Sequence, residues 1–154
     1  LVSAFALSPD GRIALVAHID HFVCMHSVDS WRLMYILTFP KTESITSVAW
    51  DHAGLGVASC GLTGTVRYAL PLLDLRLSAF HVHKVGIPLS CVSFAGHAHL
   101  VLGDVHGGMH HIQLQTNELE HKQTDHGSII TSLACQNGYL LIGDLSGVIS
   151  LWEY

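Results

Sequence analysis

Apolar residues fall in short runs of five to seven along this chain, each closed by a turn rich in glycine, aspartate, asparagine or serine. No 11-residue window carries a clean helical stripe. The runs are dominated by Val, Ile, Phe, Tyr and Thr, side chains that fit a pleated, half-buried surface, so they read as strands. The predicted strands group as 2–7, 12–17, 22–27 and 33–38; 45–50, 55–60, 65–70 and 75–80; 89–94, 99–103, 108–114 and 119–123; and 130–135, 139–143 and 148–153. Inner strands such as LLIG and ISLW are apolar on both faces, as strands covered on both sides are. Fourth strands are more polar where they can be read: Leu119, Glu120, His121, Lys122 and Gln123 suit an exposed edge that must not pair with other chains.

The groups repeat. Segments AHIDHFVCMHS from Ala17, GLTGTVRYAL from Gly61, GDVHGGMHHIQ from Gly103 and GDLSGVISLWE from Gly143 stack when a turn is the anchor. Their turn residues Asp20, Thr63, His106 and Ser146 are separated by 43, 43 and 40 positions. The next residues, His21, Gly64, Gly107 and Gly147, occupy the place for a tight turn with positive φ. A second anchor agrees: the turns SPDG at 8–11, DHAG at 51–54, AGHA at 95–98 and QNG at 136–138 each follow a first strand. Four-stranded units repeating about every 40 residues and apolar on both faces stack radially, the arrangement of a β-propeller.

The last unit, DHGSIITSLACQNGYLLIGDLSGVISLWEY, resembles the WD40-repeat family: it has His126 at the place of that family's Gly-His dipeptide and Trp152–Glu153 at the place of its Trp–Asp pair. SPDG at Ser8–Gly11 is also a common turn there. The resemblance covers essentially the whole chain and implies an all-β, WD40-like propeller of four blades, about 1–38, 45–80, 89–123 and 130–154. It also implies a hydrogen-bonded network of Asp, His, Ser/Thr and Trp within a blade. Asp20 is the match at the turn in the first unit and Trp152 the match on the strand in the fourth, so no unit is expected to hold the full network. The chain opens on an inner strand and stops after the third strand of its last unit. The expectation is a propeller fragment, the C-terminal blades of a larger ring, its last blade lacking the outer strand.

Composition narrows the function. Apolar residues make up 49% of the 154 and charged ones 12%, about half the usual share of roughly 25%, which excludes an intrinsically disordered chain. Lys plus Arg total 7 against 12 Asp plus Glu, a net charge of -5 and a poor match to nucleic-acid phosphates. No apolar run approaches the roughly 20 residues of a membrane-spanning helix, and the first residues lack the basic start of a signal peptide. The chain also lacks an initiator Met, which suggests a longer parent. Cys24, Cys60, Cys91 and Cys135 form no C-x-x-C pair and read as small buried hydrophobes in a reducing, cytoplasmic or nuclear compartment. Neither Asn117 nor Asn137 starts a glycosylation sequon.

The 13 histidines are the unusual count. His81 and His83, and likewise His97 and His99, would share a strand face at i, i+2, whereas the adjacent His110 and His111 would not. No carboxylate or thiol at ligand spacing completes either pair, so neither a metal nor any cofactor is expected. There is no G-x-S-x-G elbow, no H-E-x-x-H and no phosphate loop; GDVHGG at Gly103–Gly108 is a hairpin between strands. No catalytic residue is nominated and the chain is expected not to be an enzyme. The turns between second and third strands open on one propeller face, which places His18, Asp20, His21, Thr63, His106 and Ser146 there as candidate partner-binding residues, with His126 beside them. The opposite face would carry His52, His97 and the Asp29–Trp31 turn. Trp31 either packs on its own outer strand or anchors a partner.

The expected function is a non-enzymatic scaffold for protein–protein contacts within a larger multidomain protein. Its partners are proteins, among them preceding blades of the same propeller, with neither nucleic acid nor membrane contacted directly. The alternatives are a regulatory sensor propeller of an apoptosome-type nucleotide-binding protein, or a ribonucleoprotein- or chromatin-associated propeller subunit.

Overall fold

The computed structural model describes residues 1–70 and 80–153, and among these strand follows strand with only turns between. The first sheet is β1 (Val2–Leu7), β2 (Ile13–His18), β3 (Phe22–Ser27) and β4 (Leu33–Thr38). The second is β5 (Ile45–Trp50), β6 (Val57–Gly61), β7 (Thr65–Ala69) and β8 (His81–Lys84). The third is β9 (Leu89–Ala95), β10 (His99–Asp104), β11 (Met109–Gln113) and β12 (Glu118–Lys122), and the last is β13 (Ile130–Gln136), β14 (Tyr139–Asp144) and β15 (Ile149–Glu153). Each sheet is an antiparallel meander. Their first strands lie side by side, β1 on β5, β5 on β9 and β9 on β13, so the sheets fan outward as four blades. The fourth strand expected at 75–80 falls outside the described residues except for Phe80, which is buried; the outer strand seen in that blade is β8.

Alternation along each strand explains why the inner sheets are apolar on both sides. In β10, Leu100 and Leu102 point into one interblade layer with Tyr68, Val66, Phe94 and Ile112, while Val101 points into the next, with Met109, Ile130, Leu140 and Ile142. A third layer, around Leu15, Met25, Phe39 and Val48, joins the first two blades. Each fully buried side chain of this size contributes about 1.5–3 kcal/mol. Among the described residues, the first and last blades have a neighbouring blade on one face alone. Phe5 is 72% exposed, and Ile149 and Leu151 on the last blade 71% and 65%, beside exposed Tyr139 and Leu141. The outer strand β4 is also apolar, with Leu33, Met34 and Ile36 exposed, unlike the polar edge β12.

Each first strand carries a bulge with a hydroxyl residue on it, Ser3, Thr46, Ser90 and Thr131 in chain order. Thr46, Ser90 and Thr131 fall at the register shifts and donate to Cys60 O, Gly103 O and Gly143 O in their own blades. Thr46 also donates to Leu89 O at 2.8 Å and Ser90 to Ile130 O, each in the following blade. The bulge turns the side chain out of the pleat, where it bridges neighbouring sheets.

Candidate functional site

The turn at the top of each blade is built around one backbone requirement. His21, Gly64, Gly107 and Gly147 have φ of 68°, 71°, 90° and 89°, the left-handed conformation expected of them. At Gly64 and Gly107 space also demands glycine. A Cβ on Gly107 would collide with the carbonyl of His126, and one on Gly64 would lie 2.7 Å from Ile87 O. The connection into the next blade therefore rests on the preceding turn. Val85 N donates to Gly64 O at 2.8 Å, and buried Thr124 donates to Gly107 O.

These turns carry the six candidate partner-binding residues. His18 closes β2 and stacks on Phe22, ring centroids 4.4 Å apart. Asp20 is exposed, and the His21 ring is tied through Nδ1 to the backbone carbonyl of Glu43. Thr63 donates to the Thr65 hydroxyl at 3.2 Å, and His106 presents an exposed ring while its N–H donates to Asp104 at 2.7 Å. Ser146 donates through both N–H and hydroxyl to Asp144, at 2.9 and 2.7 Å. The turns are equivalent loops at one end of the four blades. The connection 39–44 below the first two is pinned by Arg67, which pairs bidentately with Glu43 at 3.0 and 2.6 Å.

His126 does not join that surface, and its burial corrects the sequence reading. Its Nδ1–H donates to Asp144 at 3.0 Å, while Nε2 accepts from the Ser150 hydroxyl at 2.7 Å. Trp152 Nε1–H in turn donates to Ser150 at 3.1 Å. The fourth blade thus holds the full Asp–His–Ser–Trp network that no blade was expected to hold. Its aspartate is Asp144, two residues before the turn position used as anchor, and Asp20 has no such role. Burial raises the Asp144 carboxyl, but His126, Ser146 and the N–H of Val148 and Ser146 outweigh it and bring it down to about 2.

The third blade has the same aspartate and a different imidazole. Burial raises the Asp104 carboxyl, yet hydrogen bonds from His110 and from Gly108 and His106 N–H hold it below the usual range. The His110 ring lies on strand β11, with Nε2 2.9 Å from Asp104, and its Nδ1 is 3.3 Å from Nδ1 of His121 on β12. His111, on the other face as expected, packs against His99 at 4.5 Å; burial, then His99 and Lys122, push it below the usual imidazole value. His81 and His83 do share a face, both stacked toward Tyr68. His97 and His99 do not: His97 lies in the turn before β10, with Nδ1 3.5 Å from the buried Asp51.

The opposite end of the blades is furrowed. A cleft of about 640 Å³ opens between the turns of the last two blades, lined by His52, His97, His99, Gln136 and Tyr139 among others. Trp31, 63% exposed with φ of 53°, stacks one face on His26 at 5.4 Å. The four cysteines are free and buried as expected. Burial pushes the Cys60 thiol up to about 12 and that of Cys91 to about 11.

No protein-family model matches the chain, and neither does any curated protein sequence. Solved structures do. One described as the structure of U3-55K and one described as the crystal structure of RRP9 WD40 repeats each superpose with a TM-score of 0.84 at 14% identity. The fold is that of a WD40 propeller. Each superposition covers 99% of this chain, and the chain spans about half of the similar structures, 49% and 48%. At that identity the likeness establishes the radial blade arrangement and nothing about partners. No described helix is long and apolar enough to cross a membrane.

Proposed function

We propose that this chain is a non-enzymatic scaffold for protein–protein contacts, a set of WD40 blades that belongs to a larger intracellular propeller protein. The observation that carries this is the asymmetry of covering. The inner blades are packed on both faces, whereas Phe5 on the first blade and Tyr139, Leu141, Ile149 and Leu151 on the last lie open. Apolar faces of this kind mark surfaces that are covered in an assembly. Further blades of the same protein are the occupants best matched in shape, and the twofold length of the similar structures supports them. The low cation count speaks against direct nucleic-acid contact.

The outside protein partner docks on the turn face through His18, Asp20, His21, Thr63, His106 and Ser146. Support comes from the frame: the turns are fixed by positive-φ residues and by connections resting on them, so a partner meets side chains already in place. The test is capture of cellular partners with His18, His21 and His106 changed together to Asn, beside Trp31→Ala. Loss of partners in the triple variant supports the turn face. Unchanged capture there, with loss in the Trp31 variant, moves the site to the end that carries Trp31 and the cleft.

A further inference from the structure

The third blade departs from the fourth in a way that has chemical content. In the fourth blade both nitrogens of the buried imidazole are used, one by Asp144 and one by Ser150, and the network is closed. In the third, the position of Ser150 is taken by His110, whose Nε2–H donates to Asp104 at 2.9 Å. Its Nδ1 lone pair accepts instead the proton of another imidazole nitrogen, Nδ1 of His121, at 3.3 Å, and a metal ion can replace that proton. Two imidazole nitrogens bound to one tetrahedral zinc at roughly 2.0–2.1 Å stand about 3.3 Å apart. A carboxylate on the far nitrogen is what orients a metal-binding imidazole and raises its basicity.

We propose that His110 and His121 bind one divalent transition-metal ion of the zinc class on the outer half of the third blade, with Asp104 orienting His110 from its far nitrogen. One polar atom from each of the three fits within a 4.8 Å span. His110 and Asp104 are 3% and 1% exposed and form the fixed floor, while exposed His121 is the side from which an ion enters. Register places His121 directly opposite His110 across β11 and β12. Gly108 keeps the hollow open, since a Cβ there would press on the Asp104 carboxylate and come within 2.9 Å of His121 Cε1. Asp104 is itself held by the N–H groups of His106 and Gly108, at 2.7 and 2.9 Å. Imidazole nitrogen donors select zinc, copper or nickel over calcium or magnesium. Water fills the remaining positions, and the ion ties the edge strand β12 to β11.

The test uses tag-free chain stripped with chelator and titrated with Zn²⁺ by calorimetry and with Co²⁺ by visible absorption. One equivalent is expected to bind, with His121→Ala weakening it at least tenfold and Asp104→Asn by about 10- to 100-fold. Because the chain has 13 histidines, His97→Ala and His83→Ala serve as controls, each changing affinity less than twofold. Zinc should also slow amide exchange in residues 118–122 of the unaltered chain and leave it unchanged in His121→Ala. His121 is exposed, so its variant folds and carries the decision. Absence of saturable one-equivalent binding, or unchanged affinity in His121→Ala, overturns the site.

Discussion

Replacing Gly107 and Gly147 with alanine, one at a time, measures how firmly one blade seats the next. Both glycines sit in equivalent turns at nearly the same φ, 90° and 89°. The backbone cost of a left-handed alanine is therefore shared, about 1–2 kcal/mol. Their surroundings differ: nothing lies within 4 Å of a Cβ on Gly147, whereas one on Gly107 would overlap the His126 carbonyl and reach Ser128 O at 3.0 Å. Relieving that overlap means moving the connection into the fourth blade. The bond from Thr124 to Gly107 O is then lost, leaving a buried hydroxyl unsatisfied. Such a group costs a further 1–3 kcal/mol or so. The expected totals are about 1–2 kcal/mol for Gly147→Ala and about 2–5 kcal/mol for Gly107→Ala. With a urea dependence of roughly 2 kcal/mol per molar, a 2 kcal/mol difference separates the unfolding midpoints by about 1 M. Chemical denaturation of the two variants beside the unaltered chain reads this directly. Midpoints that agree within about 0.2 M would refute the idea that the turn of one blade supports the next.

Two further outcomes follow from the buried groups. Asp144 has its carboxyl lowered from 3.8 to about 2 in the folded chain, so the unfolded chain takes up the proton first. The stability it contributes is complete above pH 3.8 and is lost as pH falls toward 2. The Trp152 indole N–H resonance should therefore persist at pH 5 and fade over that range. A resonance already lost at pH 5, or unchanged in Asp144→Asn at neutral pH, would contradict the linked network. Cys60 and Cys91, pushed up to about 12 and 11 by burial, should resist a thiol reagent at pH 8 in the folded chain and react fully in denaturant. Rapid labelling of Cys60 without denaturant would show that the layer between the second and third blades opens readily.

Much of the blade plan was written locally. The alternation of apolar positions marked fourteen of the fifteen strands among the described residues to within a few positions, because it reflects which side chains each strand face can bury. The positive-φ positions His21, Gly64, Gly107 and Gly147 followed from spacing alone, since a tight turn imposes its own backbone demand. The bulge hydroxyls Ser3, Thr46, Ser90 and Thr131 recur at nearly the same interval, a period legible in the chain itself.

What the chain order could not disclose is who stands across a strand or beneath a turn. The match of Asp20 to the network failed because a carboxylate's role depends on whether its turn points it inward. Asp104 and Asp144, two residues earlier in their turns, are buried; Asp20 is exposed. His126 comes from the connection ahead of its blade, 18 residues from the carboxylate it meets. His110 finds His121 through strand register, which i, i+2 spacing cannot show, while His97 loses its expected companion because β10 begins only at His99. Strand, turn and period are set by neighbours along the chain, whereas a network closes only when packing fixes several distant side chains to within a hydrogen bond's length, and that is decided by the tertiary structure alone.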